Sequence, residues 1–437
     1  MSRRFNRRDV IKGASAIGIA TVAGCAGGGQ GGSGDGTQTT TGGQADSDGG
    51  TQTASGGQGG SNKTRTILQG ILMPETGDLS SVGKPIRDGA ILPLTQLQEA
   101  DTNFEYDYQV GDTQTNPQAG ISAAETLINN GYPAVTGPAS SGVNLQVSRQ
   151  VFIPNETVGI SPSSTSPTVT GLNDNDFIFR TPPSDALQGR VIAQVGTENL
   201  NAATASTMFV NNDYGQALSD SFSEAFSGEV LNTVAFEKEQ PSYTSRLEQA
   251  LSDSPDMMVI IGYPASGIQM FRDYYSDFDT GTNIVVTDGL KDPGLPSEVG
   301  SDMASVRGTA PTAAGPGSEF FATSFEDEYG SEPGVFTSQA YDATAVSILA
   351  NVAAGSNEGP AIQDNMRTVA NPDGTEYGPS ELAEAVNAVA SGESINYVGA
   401  SSPVDFDENG DMQAVTYEIF SFTQDGVETQ TTIQFSS

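Results

Sequence analysis

The 437-residue chain has no histidine, no tryptophan and a single cysteine, Cys25. Catalysis that needs an imidazole base is thereby excluded, as are an intrachain disulfide and a thiolate zinc site. Basic residues are also scarce: 18 lysines and arginines face 54 aspartates and glutamates, a formal charge of −36 at pH 7. Such a surface repels nucleic acid and anionic headgroups, so neither is expected as a partner. Carboxylate-pair hydrolysis survives these exclusions, but no motif singles out a pair among so many acids. No enzyme activity, cofactor or metal is expected.

What is present begins at the first residues. Arginines precede a weakly apolar run from Gly13 to Ala23, which is too short to span about 30 Å of hydrocarbon, and small residues lead into Cys25. The segment resembles a twin-arginine export signal with Arg7 and Arg8 as the recognised pair, and Thr21-Val22-Ala23-Gly24-Cys25 resembles a lipobox. That resemblance implies export, removal of residues 1–24 and a lipid on Cys25, which would hold the protein at the outer face of the cell membrane. Residues 26–62 are almost entirely Gly, Ser, Thr, Gln and Asp, with nothing large and apolar to bury, so residues 25–65 are expected to form a flexible tether.

Loss of residues 1–24 removes five basic residues and one acid, leaving 13 and 53, a charge of −40. At a Debye length of about 3 Å in 1 M salt such a surface no longer repels itself. The composition resembles that of proteins from halophilic archaea.

From Thr66 onward short apolar runs alternate with helical patterns. Strands are expected at Thr66–Met73, Tyr106–Gly111, Ala134–Thr136 and Val158–Ile160. Helices are expected at Gly83–Glu99, interrupted at Pro93, and at Pro117–Asn129, with Asn116 as N-cap and Gly131 just past the end. The pattern then restarts: strands at Ala205–Val210, Val230–Phe236, Met257–Ile261 and Asn283–Thr287 alternate with helices at Gln216–Phe226, Tyr243–Leu251 and Ile268–Tyr275. A strand near Arg307–Thr312, helices at Ser318–Tyr329 and Phe336–Ala354, and a last hairpin through Asp405–Gly410 to Ile419 complete the chain. The fold class is α/β, two Rossmann-like lobes with parallel sheets and a ligand crevice at the strand ends.

Polar clusters follow several strands. Gly137-Pro138-Ala139-Ser140-Ser141-Gly142 and Ser161-Pro162-Ser163-Ser164-Thr165-Ser166-Pro167 sit at neighbouring strand ends, where hydroxyls and amides suit a carboxylate, although each also reads as an ordinary Ser/Pro turn. In the second half, Asn212-Asp213-Tyr214-Gly215, Tyr263-Pro264-Ala265-Ser266-Gly267 and Thr287-Asp288-Gly289 occupy the matching places. Tyr214 and Tyr263 suit stacking on an apolar ligand body or plain packing, and Asp288 suits an amine partner or a turn.

These clusters, with Gly77 to Gly83, Phe179-Arg180-Thr181, Ala340-Tyr341-Asp342-Ala343 and Phe406 to Asp411, occur in the order seen in the leucine/isoleucine/valine-binding family of ABC-transporter receptors, which the chain resembles from Thr66 onward. The resemblance implies two lobes closing on a ligand, joined by three hinge crossings near Thr181–Pro183, Thr309–Thr312 and Gly399–Pro403. Residues 66–182 and 312–400 would form the first lobe, and 183–311 and 401–437 the second. Ser141, Ser163 and Thr165 match positions that hold a ligand carboxylate, with Ser140 beside them; Tyr214 and Tyr341 match further contacts.

Two positions depart from the pattern. The family's ammonium-binding glutamate is absent from Tyr263 to Gly267, so either Asp288 replaces it or the solute is not a free α-amino acid. Val82 stands where the family carries an aromatic residue. The run Asp405 to Asp411 resembles half of a calcium loop, but its twelfth position is Thr416, and a tight turn is expected instead.

The function implied is an extracellular receptor of an ABC importer, acting as a monomer with permease and ATPase subunits on a small polar solute, most simply a branched-chain or other amino acid. An amide, urea or small-carboxylate receptor, and a sensor without transport, are the alternatives.

Overall fold

Strand β1 (Arg65–Met73) is buried along almost its whole length, as befits a strand paired on both sides and covered on both faces. The structure is a computed structural model that describes residues 64–370, 372–424 and 426–436. The expected export signal with Arg7 and Arg8, the lipid site at Cys25 and the tether as far as residue 63 lie outside the described residues.

The first lobe continues through α1 (Ser80–Glu99), β2 (Phe104–Asp112), α2 (Pro117–Asn129), β3 (Ala134–Thr136), α3 (Ser141–Val147), β4 (Val158–Ser161) and β5 (Ile178–Arg180). Its five strands are parallel in the order β2-β1-β3-β4-β5. Local chemistry sets α2 as expected: the Asn116 carboxamide accepts from the amides of Gln118 at 2.9 Å and Ala119 at 3.2 Å, Pro117 occupies the first turn, and Gly131 takes a φ of +88°. The expected break at Pro93 does not occur, and α1 runs unbroken through both Pro85 and Pro93. Val82, Ile86, Ala90, Leu94 and Leu97 form a buried stripe on it, and that packing outweighs a proline cost of about 3 kcal/mol.

The second lobe begins with α4 (Asp185–Gln194) and proceeds through β6 (Thr204–Val210), α5 (Asp213–Ala225), β7 (Glu229–Phe236), α6 (Thr244–Leu251), β8 (Met257–Ile261), α7 (Pro264–Asp277), β9 (Asn283–Val286), α8 (Leu295–Val299) and β10 (Val306–Pro311). The strand order β7-β6-β8-β9-β10 repeats that of the first sheet. Both lobes therefore place their strand ends, with the loops that follow, toward a shared cleft.

After β10 the chain returns to the first lobe as α9 (Ser318–Tyr329), α10 (Thr337–Ala354), α11 (Gly359–Gln363), β11 (Thr375–Tyr377), α12 (Leu382–Ala390) and β12 (Ile395–Tyr397). Helix α10 is buried around its circumference from Thr337 to Val352, against α1, α12 and β1. Gly89 of α1 lies so close to the Thr337 backbone that a Cβ would have no room. The chain then crosses once more to β13 (Ala414–Thr423) and β14 (Gly426–Ser436), which extend the second sheet antiparallel beyond β10. Thus the chain passes between the two sheets three times, after β5, β10 and β12.

The last hairpin differs from expectation. It is β13 and β14 that pair, whereas Asp405–Asp411 forms a tight turn closed by a single bridge between Phe406 and Met412. The turn's acids are explained locally: Asp407 accepts from the amides of Asn409 at 2.8 Å and Asp411 at 2.9 Å, and Asp411 pairs with Arg180. Among the described residues no helix is long and apolar enough to cross a membrane, and no group of three or more acidic or cysteine side chains is placed to hold a metal.

Candidate functional site

The two serine-rich loops of the first lobe are locked to one another by their own hydroxyls. Ser161 Oγ donates to the Pro138 carbonyl at 2.6 Å and accepts from the Ser164 amide at 2.9 Å. Ser163 Oγ donates to the Ala139 carbonyl at 3.2 Å, and the Ser166 amide donates to Ser141 Oγ at 3.3 Å. The loops thus form one rigid polar wall rather than two independent turns.

The second lobe supplies the facing wall. Asn212 caps α5 by accepting from the amides of Tyr214 and Gly215, while its Nδ2 donates to the Tyr263 hydroxyl at 3.1 Å. The rings of Tyr214 and Tyr263 stack 5.7 Å apart. The Tyr214 hydroxyl donates to Asp288 Oδ1 at 3.2 Å and pairs with Thr287 Oγ1 at 2.7 Å. Tyr263 also meets Ser140 Oγ at 3.1 Å, so one hydroxyl pair joins the lobes directly.

Between these walls lies a small, almost closed cavity. Six of the residues expected at the site line it: Ser140, Ser141, Ser163, Tyr214, Tyr263 and Asp288. Thr165 is buried just beyond Ser163, its hydroxyl against the Asp185 carboxyl. Tyr341 is a correction. It does not line the cavity, because its hydroxyl turns between helices to donate to Gln96 Oε1 at 2.6 Å and its ring packs on Phe321.

Of the apolar wall, the resemblance marked only Val82, as a position near the ligand where the family carries an aromatic residue. Leu79, Val82 and Ile86 from the start of α1, with Val335 and Phe336 before α10, complete the lining. Phe336 holds a φ of +62°, rare for an aromatic residue, and projects into the cavity from the α10 N-terminus. No periodicity marks such a position in sequence. Asp185 and Gln188, fully buried on α4 behind Asp288 and Thr165, were missed as well, since an acid in a helix's first turn reads as ordinary dipole compensation.

The segment from Tyr263 to Gly267, where the resemblance placed an ammonium-binding glutamate, has another task. Asp78 of the first lobe reaches across the cleft and accepts from the Ser266 amide at 2.7 Å and hydroxyl at 2.8 Å, and Ser266 Oγ in turn accepts from the Glu239 amide at 3.0 Å. Lys238 adds a contact to the Thr115 carbonyl. These bonds hold the lobes in the closed arrangement.

Burial dominates the electrostatics of the cavity. It pushes the Asp288 carboxyl up to about 6 despite the bond from Tyr214, and it raises Asp185 well above the usual carboxylate range, with the Asp288 charge adding to the effect. The folded protein therefore binds protons more tightly than the unfolded chain between the ordinary carboxylate pKa, about 4, and 6. Stability of the ligand-free protein is expected to fall as pH rises through that window, by on the order of 3 kcal/mol for Asp288 alone. Calorimetric melts of the wild type and Asp288→Asn check this; equal slopes with pH in the two proteins would refute it.

A two-lobed α/β molecule closed over a small cavity, with hydroxyls on one side, apolar side chains on another and a buried acid between, is built to enclose a solute. The chain belongs to the periplasmic binding protein family, whose model matches residues 66–391. It is 25% identical over 378 residues to the chemotactic signal transduction system substrate-binding protein BasB of Halobacterium salinarum, covering 80% of this chain and 89% of that protein. It is 28% identical over 323 residues to the Leu/Ile/Val-binding protein homolog 1 of Brucella abortus, covering 70% and 84%. The fold superposes on the leucine binding protein LivK of Thermotoga maritima with a TM-score of 0.72 at 23% identity, covering 84% of this chain and 98% of that one. These relatives are binding proteins rather than enzymes.

Proposed function

We propose that this protein is the solute receptor of an ABC importer, taking an aliphatic amino acid between its lobes and presenting it to a permease. The observation that carries the reading is the division of the cavity wall. Leu79, Val82, Ile86 and Phe336 suit an aliphatic body, the Ser140, Ser141 and Ser163 cluster suits a carboxylate, and Asp288 suits an amine. Closure couples capture to docking, because only the closed form carries both lobes' surfaces in one arrangement. The sequence signals at Arg7, Arg8 and Cys25 support export and a lipid tether, which would keep the receptor concentrated beside its transporter.

The reading is tested by thermal melts in molar salt with leucine, isoleucine, valine, urea and benzoate. A solute that binds only the folded state adds about 2.7 kcal/mol at a hundred times its Kd, so an aliphatic amino acid is expected to raise the melting temperature by several degrees. No shift with any amino acid refutes it. Replacing Ser141 and Thr165 together by alanine is expected to weaken binding by about 2–4 kcal/mol through lost hydrogen bonds to a charged group. Unchanged affinity by calorimetry would remove the serine wall from the carboxylate role.

A second reading, a receptor that signals without feeding a permease, is favoured by the extent of the similarity to BasB. Deletion of the gene separates the two: loss of labelled-solute uptake supports import, whereas intact uptake with lost taxis supports sensing.

A further inference from the structure

We propose that Asp78 is a positioning residue for solute capture: it caps helix α7 from the opposite lobe, so that the helix carrying Tyr263 is completed only on closure and the cap sets how long a solute is held. This rests on the receptor reading and concerns release rather than recognition.

The starting observation is a helix that does not cap itself. Tyr263 occupies the N-cap of α7 and its side chain makes no capping bond, unlike Asn212 at the start of α5. Pro264 follows without an amide hydrogen, and the first intrahelical bond runs from the Gly267 amide to the Tyr263 carbonyl at 2.8 Å. The amides of Ala265 and Ser266 are therefore left for a partner outside the helix. Both find it in one residue of the first lobe: the Ala265 amide donates to the Asp78 carbonyl at 3.3 Å and the Ser266 amide to Asp78 Oδ1 at 2.7 Å. The Ser266 hydroxyl adds a bond to Asp78 Oδ2 at 2.8 Å, and a carboxylate at this end also opposes the helix dipole.

Asp78 is held ready for this contact. Gly77 before it takes a φ of +84° against the Gln114 carbonyl, where a Cβ would have no room, and the Leu79 amide after it donates to Thr115 Oγ1 at 3.1 Å. Gln114 and Thr115 themselves have φ of +54° and +50°, a costly backbone for a β-branched residue, and the Thr115 carbonyl accepts from Lys238 of the second lobe. Two first-lobe loops that brace one another thus carry both contacts. Asp78 does not line the cavity, whereas Tyr263 does, stacking on Tyr214 and meeting Ser140. The cap therefore acts on the closed state alone, and to the same extent for every solute. On opening, the two amides and the carboxylate return to water, so losing Asp78 lowers the barrier to opening and leaves the encounter with the open lobes unchanged.

The test is stopped-flow measurement of leucine and valine binding to the full chain, wild type and Asp78→Ala. Dissociation is expected to quicken about 10- to 100-fold in the variant, by the same factor for both solutes within about twofold, with association changed less than about threefold. A fall in association with dissociation unchanged, a loss confined to one solute, or no change in either rate would overturn the proposal. Asp78→Asn, which keeps an acceptor for the Ser266 amide but not the charge, is expected to release both solutes at a rate between the two. It also decides the matter should the alanine variant fail to fold, since release no faster than wild type counts against the cap. Hydrogen exchange of the solute-free chain reads the cap without a solute. The Ala265 and Ser266 amides are expected to be protected in wild type and to exchange at least about 10-fold faster in Asp78→Ala. If wild type binds neither leucine nor valine, the amino-acid reading fails while this exchange still decides the cap, and unprotected amides or exchange unchanged by the variant overturn it.

Discussion

Replacing Asp342 by alanine is expected to destabilise the protein by about 3–5 kcal/mol, read as a shift in the midpoint of chemical denaturation in molar salt. Asp342 is 0% exposed on α10, and its carboxylate accepts from the Tyr397 hydroxyl at 2.9 Å, the Ala400 amide at 2.8 Å, and the Ser401 amide and hydroxyl at 2.7 and 2.6 Å. These donors belong to the segment by which the chain crosses for the third time. Gly399 packs so closely on the carboxylate that any side chain there would collide with it. Alanine would leave four donors unpaired in the interior, and orphaned buried donors cost more than the bonds themselves contribute. Burial also raises the Asp342 pKa to about 6, so the charged form is far from comfortable. The geometry nevertheless decides the sign, because asparagine keeps one acceptor and should retain part of the stability. A loss below about 1 kcal/mol for the alanine variant would show that the crossing is not anchored here.

The second large effect is expected at Arg180. Its side chain is 0% exposed, bonds Asp411 at 2.6 and 2.7 Å, and donates to Thr170 and to the carbonyls of Ser164 and Ser166. Arg180→Met is expected to cost about 3–5 kcal/mol, since it takes the cation from Asp411, leaving the Thr170 hydroxyl donating to it at 2.6 Å, and removes the guanidinium donor from two buried carbonyls. Because Ser164 and Ser166 flank Thr165, solute affinity should fall as well. Adding Asp411→Asn removes the stranded charge, so the double variant is expected to recover part of the loss. A double variant no more stable than Arg180→Met would indicate that the carbonyl bonds, and not the ion pair, are decisive.

Much of the fold was legible in sequence, and the reasons are local. Asn116, Pro117 and Gly131 fix α2 through capping and backbone preference within a few residues, and Ser318–Tyr329 forms the helix expected from its period. Pro93 was misleading for the opposite reason: its effect depends on how much surface the helix buries elsewhere, a non-local quantity. The last hairpin failed similarly. An acidic Asp-Gly turn marks a reversal, but only the free edge of β10 decides that β13 and β14 are the strands that pair there.

At the candidate site the polar loops could be found because small and hydroxylated residues cluster where strands end. Tyr341 was expected there on resemblance, yet α10 is buried on every side and gives no sequence sign of which face meets a cavity. Val335 and Phe336 come from a turn some 250 residues from Leu79 and Val82, with no common period to link them.

The sequence by itself determined that this chain has no imidazole or thiol-pair chemistry, a strongly acidic composition, and two α/β halves whose strands end in polar loops, since these follow from residue types and short-range patterns. Only the tertiary structure decided that Asp78 fastens to Ser266, that Phe336 closes one end of the cavity, and that Asp185 lies fully buried behind Asp288. Each of those depends on distant segments meeting in a low-dielectric interior, where proximity changes what a side chain does.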